Sequence, residues 1–305
     1  MWSADEIVNA LRAKGELWES APGVVGLRGD ALGLYRGLDA LIAQVAATTD
    51  GPPCEEWAPP PVVALSTLAR ASYFASFPQW LTLAAHLRDD VESLERVARS
   101  DDPVSAARNA CAPAEAALPP AVCYHVYAAL AGRTLVVPAM VTAQCTCWRH
   151  EGARLRPLAR GWAFTMREGV CVGDAATTSE FRARGAERAR ALAEALGLRA
   201  TLEEATDPFF APTSRGRKLL QQVKGLKQEL MLPVGDEAIA AASFNLHDSF
   251  FGEAFGIRVA DGSPADSACV AYGLERWMLA FVAAHGPDAR GWPSLPIEHS
   301  LAVSI

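Results

Sequence analysis

The chain has 305 residues, half of them hydrophobic and 21% charged, which is enough apolar surface to offset chain entropy and excludes wholesale disorder. Its 28 Lys and Arg stand against 35 Asp and Glu, a net charge of −7 that argues against a nucleic-acid backbone as its main partner. The start, Met1-Trp2-Ser3-Ala4-Asp5-Glu6, has no cationic segment followed by an apolar run, so no export signal is expected. No stretch free of Lys, Arg, Asp and Glu reaches the roughly 18 residues that would span a bilayer. A cytoplasmic location with no membrane contact is expected. Seven scattered cysteines, an odd number, read as reduced thiols, some of them available to a metal.

Leu34, Leu38, Leu41, Ile42 and Val45 fall at helical spacing, and Asp50-Gly51-Pro52-Pro53 ends that helix. Trp57 to Val63, with three prolines, follows as an extended segment because stacked prolines cannot continue a helix. Ala85 to Ser100 carries paired charges and predicts an exposed helix closed by Asp101-Asp102-Pro103. The texture then becomes β: Val122 to Tyr127, Leu135 to Val137, Val141 to Trp148, and Gly161 to Cys171. The last two flank Glu151 to Pro157, which predicts a long antiparallel hairpin with a wide polar turn. Ser179 to Leu196 predicts a helix with a Ser/Thr cap and Gly197 as its stop. Residues 213–230 read as a basic helical segment, and Ile239 to Leu246 and Gly256 to Val259 as strands. Ala268 to Ala284 starts extended and ends as an apolar helix.

Hairpin-like strands with interspersed helices, and no regular βαβ alternation, predict an α+β fold on an antiparallel sheet flanked by helices. The chain contains neither Gly-x-Gly-x-x-Gly nor Gly-x-x-x-x-Gly-Lys-Ser/Thr, which excludes nucleotide binding by those two routes.

Arg149 and Glu151 share a strand face at the mouth of a loop carrying Arg154, Arg156 and Arg160. Phe164 and Glu168 share a face on the returning strand. Such a cationic and aromatic surface suits a polyphosphate and a flat base. Taken alone, these residues read more readily as a surface ion pair of little energetic value and a core phenylalanine. Further on, Gly273-Leu274-Glu275-Arg276 passes from strand to helix through a glycine and sets an arginine on the first turn, where a second phosphate can be held.

A helix with a Pro-bearing strand, a hairpin with Arg-x-Glu, and a Gly-Leu-Glu-Arg strand-to-helix junction, in that order, resemble the three signature motifs of class II aminoacyl-tRNA synthetases. The resemblance covers nearly the whole chain. It narrows to the seryl-type enzymes, and there to their truncated relatives, the amino acid:[carrier protein] ligases. Four segments carry it: Ala121 to Tyr127 around Cys123, Cys145-Thr146-Cys147-Trp148-Arg149-His150-Glu151, Ser243-Phe244-Asn245-Leu246-His247, and Ser267 to Trp277 with Cys269.

The resemblance implies a class II synthetase-like catalytic domain over residues 1–305, without a tRNA-binding arm and dimerising through Leu34 to Val63. It implies one zinc ion per subunit on Cys123, Glu168 and Cys269, three ligands that leave a fourth position open for the α-amino group of a substrate. Arg149 is then expected on the α-phosphate of ATP, Glu151 on the adenine amino group, Phe164 stacked on adenine and Arg276 on the γ-phosphate. Ser243 and Asn245 are candidates for the shell of Mg²⁺ or substrate, and Glu229 a weaker one. Cys54, Cys111, Cys145, Cys147 and Cys171 are read as core or wall residues, and His125, His150 and His247 as structural.

The implied activity is ATP-dependent activation of a small amino acid, glycine or alanine, and transfer to the phosphopantetheine thiol of a carrier protein. Arg215, Arg217, Lys218, Lys224 and Lys227 form a basic stretch in an acidic protein, suited to an acidic carrier. A solvated helix face explains them as well. The alternatives are a minimal tRNA-aminoacylating synthetase, disfavoured by the missing arm and the negative charge, and a catalytically silent synthetase-like binding protein, disfavoured because Arg149, Glu151 and Arg276 are all present.

Overall fold

The computed structural model describes residues 1–47, 52–208 and 225–296. The elements begin with α1 (Ala4–Ala13), β1 (Leu17–Ala21), β2 (Val24–Leu27), α2 (Gly29–Ala47) and β3 (Glu55–Trp57). Small elements follow: β4 (Val63–Ala64), α3 (Leu65–Arg70), α4 (Tyr73–Ser76), β5 (Leu83–Ala84), α5 (Val91–Ala98), α6 (Pro103–Ala110), β6 (Ala116–Ala117), α7 (Cys123–Ala129) and β7 (Thr134–Leu135). Next come β8 (Ala139–Trp148), β9 (Ala163–Gly173), α8 (Ala175–Ala195), β10 (Thr201–Glu204), β11 (Lys227–Val234) and β12 (Glu237–Leu246). The described part ends with α9 (Phe250–Phe255), β13 (Arg258–Val259), β14 (Asp266–Gly273) and α10 (Leu274–His285).

Among the described residues, seven strands form one sheet in the order β10-β11-β12-β14-β9-β8-β3, antiparallel throughout except for the β3–β8 edge pair. This is the expected α+β architecture. Strand alternation gives the sheet two different faces. On one, Leu230, Leu232, Phe244, Val270 and Tyr272 pack under α1, α2, α8 and α10, whose buried Leu38, Ile42, Leu192, Met278 and Phe281 complete the larger core. Each such side chain contributes about 1.5–3 kcal/mol when fully buried. Gly185 lets α8 lie close to the sheet, since a Cβ there would stand 2.5 Å from Val270. The opposite face bears the smaller core under α3, α7 and α9.

On β9, neighbouring residues of opposite charge point to opposite faces. The guanidinium of Arg167 donates to both oxygens of Asp39 on α2, at 2.8 and 3.2 Å, and to Glu56 on β3 at 3.2 Å. Glu168 is buried on the other face.

The α2 helix buries Leu34, Leu38, Leu41 and Ile42 as its spacing predicts, while Asp50 and Gly51 lie outside the described residues. Several expectations need correction. Val122 to Tyr127 is not a strand: Cys123 opens α7, and burial at 123, 124, 126, 127 and 130 has the helical period, which overrides the β preference of its valines and tyrosines. The helix placed at Ala85 starts only at Val91, because the Asp90 carboxylate accepts from Ser93 N at 2.8 Å and caps it there. Asp102-Pro103 opens α6 by the same device with proline at the first position. The cap of α8 is Asp174, not a Ser or Thr, and the helix starts at Ala175.

Of residues 213–230, those up to 224 lie outside the described residues, and Lys227 to Leu230 belong to β11 instead of a helix. Gly256, at φ +65°, ends α9, so the strand expected from there is only Arg258–Val259. The α1 helix had no counterpart in the expected elements, although Ser3 and Glu6 cap it reciprocally. No helix among the described residues is long and apolar enough to cross a membrane.

Candidate active site

The site lies on the α7 and α9 face of the sheet, in a cavity of about 670 Å³. All nine side chains singled out from sequence border it: Cys123, Arg149, Glu151, Phe164, Glu168, Ser243, Asn245, Cys269 and Arg276. Register explains the convergence. Lys227, Asn245 and Cys269 are successive partners across β11, β12 and β14, and Glu229, Ser243, Ala271 and Glu168 make the next row. Residues paired in this way point to the same face.

At one end Cys123, Glu168 and Cys269 come together, with one ligand atom from each lying within 4.8 Å of the others; it is the metal-ligand cluster found among the described residues. Glu168 Oε1 accepts from Val122 N at 2.9 Å, so the turn before α7 orients it, while Glu168 Oε2 is buried with no hydrogen-bond partner. Burial first, and then the charge of Cys269, pushes the Glu168 carboxyl well above its ordinary range. The hydrogen bond shared by the two sulfurs lowers Cys269 and raises Cys123, whose burial and proximity to Glu168 add to the rise. Three acids this close cannot all ionise without a cation. A divalent ion would remove that conflict and give Oε2 a partner, so the residues present fit zinc, for which thiolates and a carboxylate are ordinary ligands.

Cys269 has further company. His247 Nε2 stands 3.3 Å from its Sγ and Asn245 Nδ2 donates to it at 3.8 Å; Asn245 also donates to Ser243 Oγ at 3.3 Å. Nothing in the sequence marks His247 for this position, since its partner is 22 residues away on another strand.

The other end is cationic. Arg149 Nε donates to Pro120 O at 2.9 Å, and its guanidinium lies over the rings of Trp80 and Phe164, at 5.2 and 5.4 Å. Arg276, on the first turn of α10, donates to Ala159 O and Ala240 O at 2.8 and 2.7 Å. These bonds use two of its five N–H groups. Burial, with Arg160 and Arg149 nearby, brings its pKa down to about 10. Glu151 is paired with Arg160, and with Arg154 at 3.7 Å. Beneath them the Glu275 carboxylate accepts from Thr165 N through both oxygens at 2.9 Å, and burial pushes its pKa up to about 7.

Lys227 is buried between Asp207 at 2.6 Å and Glu229 at 3.0 Å. It therefore belongs to the wall of the cavity and not to an exposed basic stretch; Arg215, Arg217, Lys218 and Lys224 lie outside the described residues. Cys145 and Cys147 share a sulfur hydrogen bond of 3.6 Å on β8, apart from the metal-ligand cluster. Cys147, buried opposite Phe164, is a core residue.

No family model matches the chain. It is 35% identical over 277 residues to amino acid–[acyl-carrier-protein] ligase 2 of Bradyrhizobium diazoefficiens, covering 90% of this chain and 81% of that protein. Ligase 1 of the same organism is 34% identical over 239 residues, covering 77% and 73%. The chain belongs to the amino acid–[acyl-carrier-protein] ligase family. This ligase is also 26% identical over 276 residues to the type-2 serine–tRNA ligase of Methanocaldococcus jannaschii, but spans only 52% of it. Among solved structures, seryl-tRNA synthetase of M. kandleri, in complex with tRNASec of A. aeolicus, superposes on 94% of the ligase chain with a TM-score of 0.83 at 20% identity. Prolyl-tRNA synthetase of Cryptosporidium parvum superposes on 95% with a TM-score of 0.67 at 14% identity. The ligase spans 58% and 53% of those chains, and the likeness establishes the class II synthetase fold.

Proposed function

We propose that this ligase activates a small amino acid, glycine or alanine, as its adenylate and passes it to the phosphopantetheine thiol of an acyl or peptidyl carrier protein. The observation that carries the proposal is the single cavity with a buried acidic cluster at one end and arginines with an aromatic ring at the other.

In the first step a carboxylate oxygen of the amino acid attacks the α-phosphorus of ATP, the bond to the bridging oxygen breaks and pyrophosphate leaves. Such a reaction depends on positioning and on countering charge more than on a strong base. Arg149 holds the α-phosphate and Arg276 the γ-phosphate, each already oriented by backbone carbonyls. Phe164 stacks on adenine, and Glu151 accepts from its amino group, sharing its carboxylate with Arg160 and Arg154. Ser243 and Asn245 contribute to the shell of substrate or of Mg²⁺, which neutralises phosphate charge. Zinc held by Cys123, Glu168 and Cys269 would supply a Lewis-acidic position for an unprotonated α-amino group, which distinguishes amino acids from other carboxylic acids. In the second step the thiol sulfur attacks the carbonyl carbon, the acyl–phosphate bond breaks, and AMP and a proton leave.

The same proposal takes residues 1–305 as one catalytic domain acting as a homodimer through Leu34 to Val63, where β3 is the edge strand and Val62 is exposed. It places the carrier near Arg215, Arg217, Lys218 and Lys224.

Amino-acid-dependent ATP–pyrophosphate exchange over a panel of amino acids, followed by mass spectrometry of holo carrier protein and of tRNA, tests it. Exchange with a small amino acid and an aminoacylated carrier are expected. No exchange with any amino acid overturns the activity, and charged tRNA beside unmodified carrier replaces it with tRNA aminoacylation.

A further inference from the structure

His247 borders the cavity but has no part in the chemistry above. It follows the last residue of β12, where its backbone N–H donates to Ser267 O at 2.9 Å and Ser267 N donates to Asp248 O at 3.0 Å, so the pairing with β14 extends past Leu246. The imidazole is held edge-on to Phe251, at 4.9 Å and 79°, and to Tyr127, at 6.4 Å and 88°. That bracket aims Nε2 at Cys269 Sγ, 3.3 Å away. His247 is not a member of the Cys123, Glu168 and Cys269 cluster, although its Nε2 lies within hydrogen-bond reach of one of the three ligand atoms.

We infer that His247 is a positioning residue for Cys269, its Nε2–H donating to the sulfur and fixing it as a metal ligand. The inference rests on the zinc reading of the cluster. Two thiolates and a carboxylate bring three negative charges to an ion carrying two positive ones, and N–H donors to a ligand sulfur disperse that excess. Asn245 Nδ2 and His247 Nε2 are both aimed at Cys269, and the imidazole is the nearer. Partners of this kind orient a ligand and tune the metal behind it.

The test uses the full chain, with zinc affinity measured by competition against a chromophoric chelator and the thiolate-to-cobalt charge-transfer band of the Co²⁺-loaded protein recorded. His247→Ala is expected to raise the zinc dissociation constant about 10–100-fold, to shift the cobalt band, and to raise KM for the amino acid with KM for ATP unchanged. His247→Gln, whose amide nitrogen reaches the place of Nε2, is expected to restore affinity and band. A His247→Ala protein with wild-type affinity and band overturns the inference. So does a Gln variant as impaired as the Ala variant, because ring packing and not the hydrogen bond would then matter. Wild-type protein that takes up neither ion overturns the zinc reading itself, an outcome distinct from both.

Discussion

The two ends of the cavity are constructed in opposite ways. At the acidic end Cys123, Glu168 and Cys269 are buried, compete for the same protons, and leave Glu168 Oε2 without a partner. At the basic end Arg149 is tied to the main-chain carbonyl of Pro120 before α7, and Arg276 to those of Ala159 between β8 and β9 and of Ala240 within β12. One end crowds acids that burial keeps from ionising together, and the other crowds guanidiniums, Arg160 and Arg149 beside Arg276, that main-chain carbonyls hold in place. The difference teaches that loss of a group should act differently at each: at the acidic end through what the protein holds, at the basic end through how fast it turns over.

The largest effect is expected from Cys123→Ala. Removing one of three ligands should abolish both zinc content, read by elemental analysis, and amino-acid-dependent exchange; a fully active, zinc-free variant would erase the contrast. Next, Arg276→Ala should leave zinc content unchanged while lowering kcat for exchange about 10²–10³-fold, the cost of one donor to developing charge. Loss of zinc in that variant would show the two ends to be coupled.

The smallest effect concerns Glu275, beneath the basic end. Its folded pKa of about 7 lies above that of an unfolded glutamate, so the folded state binds the extra proton. Stability is then greatest below the unfolded pKa of about 4.3, falls as pH rises towards 7 and levels off above it. The total is on the order of 3 kcal/mol, at about 1.4 kcal/mol for each pKa unit. Glu275→Gln, still able to accept from Thr165 N, should flatten that dependence in urea unfolding between pH 5 and 7.5. An unchanged slope would assign the pH dependence elsewhere.

Long elements with clear periodicity could be read from the sequence. Leu34, Leu38 and Leu41 announced α2, and the alternation along β8, β9 and β12 set which residues share a face. The short α7 was not legible as a helix, because Val122, Tyr124 and Val126 favour strands locally and only packing against Phe251 and Phe255 decides otherwise. The proximity of Cys123, Glu168 and Cys269, which are 45 and 101 residues apart, came from family resemblance, since spacing of that kind has no local signal. Lys227 read as part of a basic stretch because Asp207, which neutralises it, is 20 residues away and arrives only when β10 and β11 pair. His247 was hidden for the same reason.

The adjacent opposite charges on β9 have a consequence for how the chain finds its register. Sliding β9 by one residue would exchange the surroundings of Arg167 and Glu168, because a strand's side chains alternate between faces. The guanidinium would then be driven among the thiols, and the carboxylate would face Asp39 and Glu56. The guanidinium would be buried without its counter-ions, a penalty of several kcal/mol. Arg167 is thus a built-in error check, since the nearest wrong alignment of the strand costs it both Asp39 and Glu56.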